Sequence, residues 1–576
     1  MSIENLDKIF QPNSIAVIGA SARKGSVGHA LMHNLIERGF SGQIFPINPN
    51  HKKIGELPTC PSIRDLEVPV DMAIISTPIT IVPQIIKDCV AAGVGGSVII
   101  SAGGKEIGEP GKKLEMAIQK EAGHSGIRII GPNCVGIMSS RSKLNASFAS
   151  QMPIAGKMAF ISQSGAICTA ILDLSIQENI GFSYFVSLGD MLDVDFGDMI
   201  DYLGGEADVG SIVMYVESLT NFRKFMSAAR AVSRVKPIIV LKAGRTQAGA
   251  LAAASHTGAM AGEDSVYDAA FQRAGILRVK TFEELFDCAE LLAKQPKPAG
   301  PGLAIITNAG GPGVMAADTL SDFGYEPVSL STETFQKLDE ILPPYWSKRN
   351  PIDMLGEAKP ALYRQVVEIC LNAKEVNGLL IISAPQALAD TAEVAAALVD
   401  LIREKPIPII TSWVGGVDMQ KGRDIFNQAG IPTFDTPERA VRAFMDIYRF
   451  SKNIEILQQI PSRLPRRPEF DRETAKNLIR EGLGTQNYLL TEMEAKALLS
   501  SYGIPVNRME KAVTKEEVVQ KAQNIGFPVV MKINSRDITH KSDANAVFLN
   551  LKNENEASKA FDKIIWNAHA YNPKAR

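Results

Sequence analysis

Cysteine is scarce in this chain: six thiols in 576 residues, at Cys60, Cys89, Cys134, Cys168, Cys288 and Cys370. None forms a C-x-x-C pair, which excludes a paired-cysteine zinc site and a redox dithiol. So few cysteines over such a length also exclude a disulfide-stapled scaffold and fit a reduced, cytoplasmic setting. No apolar run reaches the ~18 residues of a membrane span. The N-terminal stretch MSIENLDKIFQPNSIAVIGA carries early acidic residues and no signal-type apolar core. An excess of either charge is missing too: 61 Lys and Arg face 63 Asp and Glu, a net charge of −2. No global basic field draws nucleic acid or anionic lipid, so neither is an expected partner.

What is present is ordinary globular composition, 45% apolar and 22% charged, in a length that suits about three to five domains. Many of the 46 glycines follow short apolar runs, as strand-to-helix turns do. Residues 13–138 alternate strand and helix patterns. Strands are predicted at Ser14–Gly19, Gln43–Ile47, Asp71–Ser76, Gly96–Ser101 and Ile127–Ile130, with amphipathic helices such as His29–Arg38 and Lys112–Glu121 between them. Short apolar strands alternating with helices mean a parallel sheet covered on both faces, with ligands at the carboxyl ends of its strands. A second βα series starts at Lys157–Ile161 and runs to about residue 293. The Pro/Gly-rich AKQPKPAGPG reads as a linker. A third series runs from Leu303–Ile306 to about 450, and a Pro-broken basic stretch, IPSRLPRRPEF, follows it. The last part begins near Thr491, with a helix at Met493–Tyr502 and a strand at Phe527–Ile533.

Five features carry chemistry. The turn from Gly19 to Gly28, with Ala20 and Ser21, leaves a strand and opens a helix, so its N–H groups suit a phosphate. The alternative is a turn whose glycines serve packing alone. It is not a full G-x-G-x-x-G. The next strand ends in Asn48-Pro49-Asn50, without the acid that holds a ribose diol, which argues against NAD. Gly131-Pro132-Asn133-Cys134-Val135-Gly136 leaves the fifth strand. Two further turns, Ser162-Gln163-Ser164-Gly165 and Asn308-Ala309-Gly310-Gly311, resemble each other: each follows an apolar strand and begins a helix of small residues. Each is an ordinary N-cap or half of a paired anion site. His256, one of seven histidines, sits among small residues in Ala254-Ser255-His256-Thr257-Gly258, where a neutral imidazole can attack phosphorus. The alternative is a structural histidine. Glu217 follows the strand Ile212–Val216 and is placed to orient an imidazole; otherwise it is a surface acid. Lys532, on Val529–Ile533, precedes Asp537-Ile538-Thr539-His540-Lys541-Ser542-Asp543.

Together and in this order, these motifs resemble the ADP-forming acyl-CoA synthetases (acetate–CoA ligases, ADP-forming), relatives of succinyl-CoA synthetase, over essentially the whole chain. The resemblance implies an α/β architecture: a Rossmann-like CoA-binding domain at 1–138, two flavodoxin-like succinyl-CoA ligase domains at 150–293 and 302–450, a linker at 451–486, and the start of an ATP-grasp domain at 487–576. It implies CoA contacts near Gly19, Ala20 and Ser21, Asn48, Pro49 and Asn50, Ser76, Thr77 and Pro78, Ser101, Ala102 and Gly103, with Asn133 close by. His256 would be the phosphorylated histidine and Glu217 its partner. Ser164 and Gly165 would face the phosphate from one side, and Asn308, Gly310 and Gly311 from the other. Lys532 would lie near the phosphates of ATP or ADP, and His540 matches a second phosphohistidine relay.

The expected reaction interconverts acyl-CoA, ADP and phosphate with a carboxylic acid, CoA and ATP, acetate being the default acid. The sequence departs from the family after His540, where Asp543–Val547 has no glycine run. The stretch from Thr491 to Arg576 is too short for a whole ATP-grasp fold. The expectation is therefore a fragment or one polypeptide of a split enzyme, working as a homo-oligomer or with a partner subunit. No metal ligand is assigned, and the Mg²⁺ carboxylates are expected beyond Arg576. NASF (145–148) and the segment 182–204 resemble a subgroup fused to a GNAT acetyltransferase. The alternative function is thus a CoA- or acyl-CoA-sensing module of a protein lysine acetyltransferase.

Overall fold

The structure is a computed structural model that describes residues 3–178, 180–257, 263–386, 390–403, 405–459, 470–484 and 489–575, with the backbone alone at 253–257. It divides into two compact units, residues 1–459 and 460–576.

The first unit holds three sheets built on one plan. Five parallel strands (Ser14–Ile18, Gln43–Ile47, Met72–Ile75, Gly96–Ile99 and Arg128–Ile130) form the first, in the spatial order 2-1-3-4-5. The second uses the same order for Ile154–Ser162, Gly181–Ser187, Ser211–Val216, Ile238–Lys242 and Leu277–Val279. The third repeats it with Leu303–Thr307, Ile352–Asp353, Gly378–Ser383, Ile409–Trp413 and Thr433–Phe434. In this order the crossovers diverge between strands one and three, opening a crevice at their carboxyl ends. Buried β-branched runs such as IIVLK and GLLIIS make the central strands, because both faces are covered and no polar alternation is needed.

The predicted strands agree with the observed ones to within two residues at either end, except Lys157–Ile161, whose strand already begins at Ile154. A hairpin of Gly136–Ser139 and Leu144–Ser147 went unread. It pairs antiparallel on strand two of the second sheet, making that sheet seven-stranded. The helix Pro437–Gln458 runs past 450, since nothing between Ser451 and Gln458 breaks it, and Arg472–Gly484 is helical within the stretch read as a linker.

Two seams fix the sheets of this unit. Residues 190–194 run beside the fifth strand of the first sheet, with N–H groups of Asp190, Leu192 and Val194 bonded to the carbonyls of Pro132, Gly131 and Ile129 at 2.9, 3.0 and 3.1 Å. Between the second and third sheets, Arg439 grips the buried Asp287 carboxylate with two bonds, 2.7 and 3.1 Å, a fork whose geometry is specific to guanidinium and carboxylate.

The second unit pairs Val529–Lys532 antiparallel with Val547–Leu551 and covers them with helices Lys515–Ile525 and Glu554–Tyr571. Val518, Ala522, Val529, Leu551, Ala557 and Ala560 form its small core. No helix among the described residues is long and apolar enough to cross a membrane.

Candidate active site

A cleft of about 580 Å³ opens where the first and second sheets present their carboxyl edges to one another. Ser76, Ser101, Ala102 and Asn133 line it from the first sheet, and Ser164, Gly165 and Glu217 from the second. These seven residues come from sequence positions far apart, yet six sit on loops that leave strand ends and Gly165 opens the helix that follows one.

The first-sheet side is a hydrogen-bonded ledge. Asn48 donates from Nδ2 to Ala20 O at 2.8 Å and accepts the Asn50 N–H at 2.8 Å. Ser76 Oγ donates to Ile18 O at 3.3 Å and lies 3.4 Å from Gly19 O. Ser101 Oγ donates to Thr77 O at 2.5 Å, and the Asn133 N–H reaches Ser101 O at 2.9 Å. Gly28 is dictated by packing: a Cβ there would stand 2.1 Å from Gly19 O, so only glycine lets the helix start so near the turn. Gly131 has φ +95°, and a Cβ would meet Ile99 O at 2.3 Å, so the turn before Asn133 requires it as well. Pro49, Asn50 and Pro78 are exposed, and these three, with Gly19, Ala20, Ser21, Asn48, Thr77 and Gly103, are not among the residues lining the cleft. The Gly103 N–H is already bonded to Glu106 Oε1 at 2.6 Å, so that amide faces a carboxylate.

Cys134 lines the cleft, but its thiol donates to Ile99 O at 3.3 Å and burial pushes it up to about 12. It stays protonated and is no nucleophile at neutral pH.

On the second-sheet side, helix Gly165–Gln177 begins at the cleft with Ser164 as its N-cap. The open N–H groups and the dipole of that helix start favour an anion. Glu217 is half-buried at the exit of strand three. His256 lies in the last turn of helix Gln247–Thr257; its side chain is outside the described residues.

Sequence reading missed Lys105 and Asp190, which also line the cleft. Lys105 Nζ donates to Asp190 O at 2.6 Å. Glu106, Glu115 and Asp190 bring carboxylate oxygens within 4.8 Å of one another. Burial, with Glu106 and Glu115 adding to it against Lys105, pushes Asp190 up to about 7. No local pattern signals this trio, since it forms only where the 190–194 segment crosses to the first sheet.

The repeat of turns is real, but its register is one residue off the sequence alignment. Ser162 Oγ accepts from Ser164 N and donates to its carbonyl, at 3.1 and 2.8 Å. Thr307 Oγ1 does the same with Ala309, at 3.0 and 2.8 Å. Thr307 is therefore the counterpart of Ser162, Asn308 of Gln163, and Gly310 of Gly165. The glycine pair Gly310-Gly311 allowed the wrong alignment. Asn308, Gly310 and Gly311 sit at the equivalent switch point of the third sheet and are not among the residues lining the 580 Å³ cleft.

In the second unit, Lys532 lines a cavity of about 390 Å³ with Met493, Met509, Met531 and Ile564. Its Nζ is paired with Glu492 at 2.5 Å, and Glu492 also holds Lys496 at 2.9 Å. His540 is exposed.

Three 2-1-3-4-5 sheets, two of them meeting at one cleft and two sharing a helix-start motif, define a multidomain α/β protein with switch-point sites, and the family models give its class as a CoA ligase. Family models agree along the chain: CoA binding domain at 13–140, succinyl-CoA ligase like flavodoxin domain at 155–292, Ligase-CoA domain at 303–458 and ATP-grasp domain at 481–576. An ADP-forming acetate–CoA ligase of Methanocaldococcus jannaschii is 41% identical, across 98% of this chain and 79% of that one. Another, from Archaeoglobus fulgidus, is 38% identical across 99% of this chain and 81% of that one. The solved acetyl-coenzyme A synthetase 1 of Ca. Korarchaeum cryptofilum, in complex with phosphate and ADP, superposes with a TM-score of 0.75 at 36% identity, over 78% of this chain and 98% of that one. The chain belongs to the ADP-forming acetate–CoA ligase family of acyl-CoA synthetases, which are acid–thiol ligases.

Proposed function

We propose that the cleft between the first two sheets is where acyl-CoA and phosphate exchange, with acetate as the acid. The observation that carries this is the meeting of Ser76, Ser101, Ala102 and Asn133 with Ser164, Gly165 and Glu217 around one cavity. CoA lies along the ledge made by Gly19, Ala20, Ser21, Asn48, Ser76, Thr77 and Ser101, with Pro49, Asn50, Pro78 and Gly103 at its rim. A phosphate oxygen attacks the thioester carbonyl, the C–S bond breaks, and the departing thiolate takes a proton, leaving acyl phosphate and CoA. A ring nitrogen of His256 then attacks phosphorus, the P–O bond to the acyl group breaks, and the carboxylate leaves. Glu217 accepts the other ring N–H and favours the cationic ring that forms. The N–H groups at the Ser164-Gly165 helix start hold the phosphoryl oxygens without a reorganisation cost. Asn308, Gly310 and Gly311 would face the same phosphate from the other side, and the phosphoryl group then passes from the histidine to ADP. Lys532 attends the nucleotide phosphates and His540 is available as a relay. A β-type subunit or a second copy is the expected partner, since the family includes separately encoded α and β subunits in Pyrococcus furiosus.

Mg²⁺ would accompany the nucleotide and screen its phosphate charge. Among the described residues, the one group of three acidic side chains close enough to share an ion is the Glu106, Glu115 and Asp190 trio in the first unit. The described residues of the second unit hold no such group of three, and no step above passes through the metal.

The test is the nucleotide-free half-reaction. The chain incubated with acetyl-CoA and ³²P-phosphate should take up an acid-labile, base-stable label that His256→Ala abolishes. Absence of label with acetyl-CoA and with larger acyl-CoAs, while CoA still binds, would overturn the proposal.

A further inference from the structure

Gln163 follows the first strand of the second sheet and is 8% exposed. A buried amide needs its donors and acceptor satisfied, and here they close on one target. Gln163 Oε1 accepts the N–H groups of Glu217 at 3.0 Å and Ser218 at 2.9 Å. Its Nε2 donates to Ser218 Oγ at 3.0 Å. Two bonds from backbone N–H groups and one to the Ser218 hydroxyl thus pin the chain where strand three ends and Glu217 begins. Gln163 also lines the cleft beside Ser164 and Glu217.

The third sheet holds the same device. Asn308, 3% exposed, accepts the Ala384 N–H at 2.9 Å and donates to Ala384 O at 3.0 Å. An amide after strand one that clamps the exit of strand three is thus a property of both switch points. What differs is the clamped residue: Glu217 in one, Ala384 in the other.

We infer that Gln163 is a positioning residue for the phosphoryl-transfer step, holding the Glu217 carboxylate at the angle and depth the reaction requires; this rests on the role proposed for Glu217 above. The clamp acts on the backbone of residue 217, so loss of Gln163 lets the carboxylate move while CoA binding on the opposite wall is kept. An error of about 1 Å in such a group costs on the order of 10²-fold in rate.

The test is a double-mutant cycle on the full chain, reading the rate of histidine labelling from acetyl-CoA and ³²P-phosphate. Glu217→Gln alone tests the underlying reading: if labelling is unchanged, that reading fails and the clamp has nothing to position. If Glu217→Gln slows labelling, Gln163→Ala is expected to slow it about 10- to 100-fold, with the KM for acetyl-CoA unchanged. Adding Gln163→Ala to Glu217→Gln is then expected to cost less than about threefold more, because both act through one carboxylate. Multiplying losses, a parallel rise in KM, or a Gln163→Ala rate within about twofold of the parent chain would overturn the inference. Ser218→Ala guards against misfolding of Gln163→Ala. It removes the Nε2 acceptor alone and is expected to slow labelling about three- to tenfold in the same non-additive way. No change in a folded Ser218→Ala chain, together with loss of fold in Gln163→Ala, would also count against a positioning role.

Discussion

The second and third sheets are two versions of one machine. Each has the order 2-1-3-4-5, a hydroxyl residue closing strand one (Ser162, Thr307), a buried amide clamping the exit of strand three (Gln163, Asn308), and a glycine opening a helix (Gly165, Gly310). They part in three places. The clamped residue is Glu217 in one and Ala384 in the other. The helix cap is Ser164 in one, where the side chain accepts from Ile167 N, and Ala309 in the other, with no side-chain cap. Strand two leads to Asp190, crowded by two other carboxylates, in one; in the other it ends at Asp353, whose Oδ1 accepts from Leu355 N at 2.9 Å. The duplicated parts hold backbone and present N–H groups; of the differences, only Glu217 against Ala384 adds a charge to one copy. Both helix starts thus present N–H groups of the kind that suit an anion, while the Glu217 carboxylate at the clamped position is particular to the first copy.

The sharpest break of that contrast is Glu217→Gln. It keeps the shape and removes the charge that the third sheet never had. Histidine labelling is expected to fall about 10²- to 10³-fold, with melting temperature unchanged, as checked by rapid-quench ³²P transfer and thermal unfolding. A Glu217→Gln chain that labels at the parent rate would reduce the first switch point to what the third sheet already has.

Asp190 offers the next largest effect. Its folded-state value of about 7 lies above the ordinary value of 3.8, so the folded chain keeps a proton that the unfolded chain releases. Between about pH 4 and 7 the folded state binds more protons, and stability falls as pH rises through that window, then levels off. Discounted for partial exposure, the loss is about 2 kcal/mol. Asp190→Asn should remove that part of the decline, read as urea midpoints at pH 5 and pH 8. Asp287 and Asp446, also pushed up to about 7 by burial, will keep a residual slope.

Much of this was open to sequence reading, for a physical reason. A parallel strand covered on both faces is a bare apolar run, and its exit is a cluster of small and polar residues. Ile212–Val216 followed by Glu217 therefore announced both the strand and the candidate acid. The ledge residues Ser76, Ser101 and Asn133 were legible because ligand loops on such sheets must leave carboxyl ends. Gln163 was not, because its role is a contact with residues more than 50 positions on, which no periodicity encodes. The one available signal was the repeat: an amide directly after strand one in both copies, visible once Ser162 is matched to Thr307. The hairpin 136–147 was hidden for a similar reason, since its partner strand Gly181–Ser187 lies beyond the next helix.

Gly311 tests whether the second copy binds an anion at all. A Cβ at Gly311 would meet nothing within 4 Å, so protein packing does not demand glycine there. At the matched pair Gly165 and Gly310, by contrast, a Cβ would come 3.0 Å from Val135 Cγ2 and 3.2 Å from Asp353 Oδ2. If the phosphate approaches the second helix start from the other side, Gly311→Ala should slow histidine labelling about tenfold, with the melting temperature preserved. Labelling at the parent rate would leave the third sheet a structural copy without a ligand.

The smallest effect exchanges the caps. Ser164→Ala leaves the Ile167 N–H without its side-chain acceptor and should cost about 1 kcal/mol of stability; Ala309→Ser, where the backbone is already extended at φ −146° and ψ 128°, should regain a similar amount. Because Ser164 also faces the cleft, its substitution should slow labelling as well as lower the melting temperature. Ala309→Ser should shift only the melting temperature, if the hydroxyl turns inward to cap its own helix. The two readouts together separate the shared duty of these turns, starting a helix, from the duty proposed for the first alone. A Ser164→Ala chain that loses stability and labels at the parent rate would assign that hydroxyl to the helix and leave the phosphate to the backbone N–H groups.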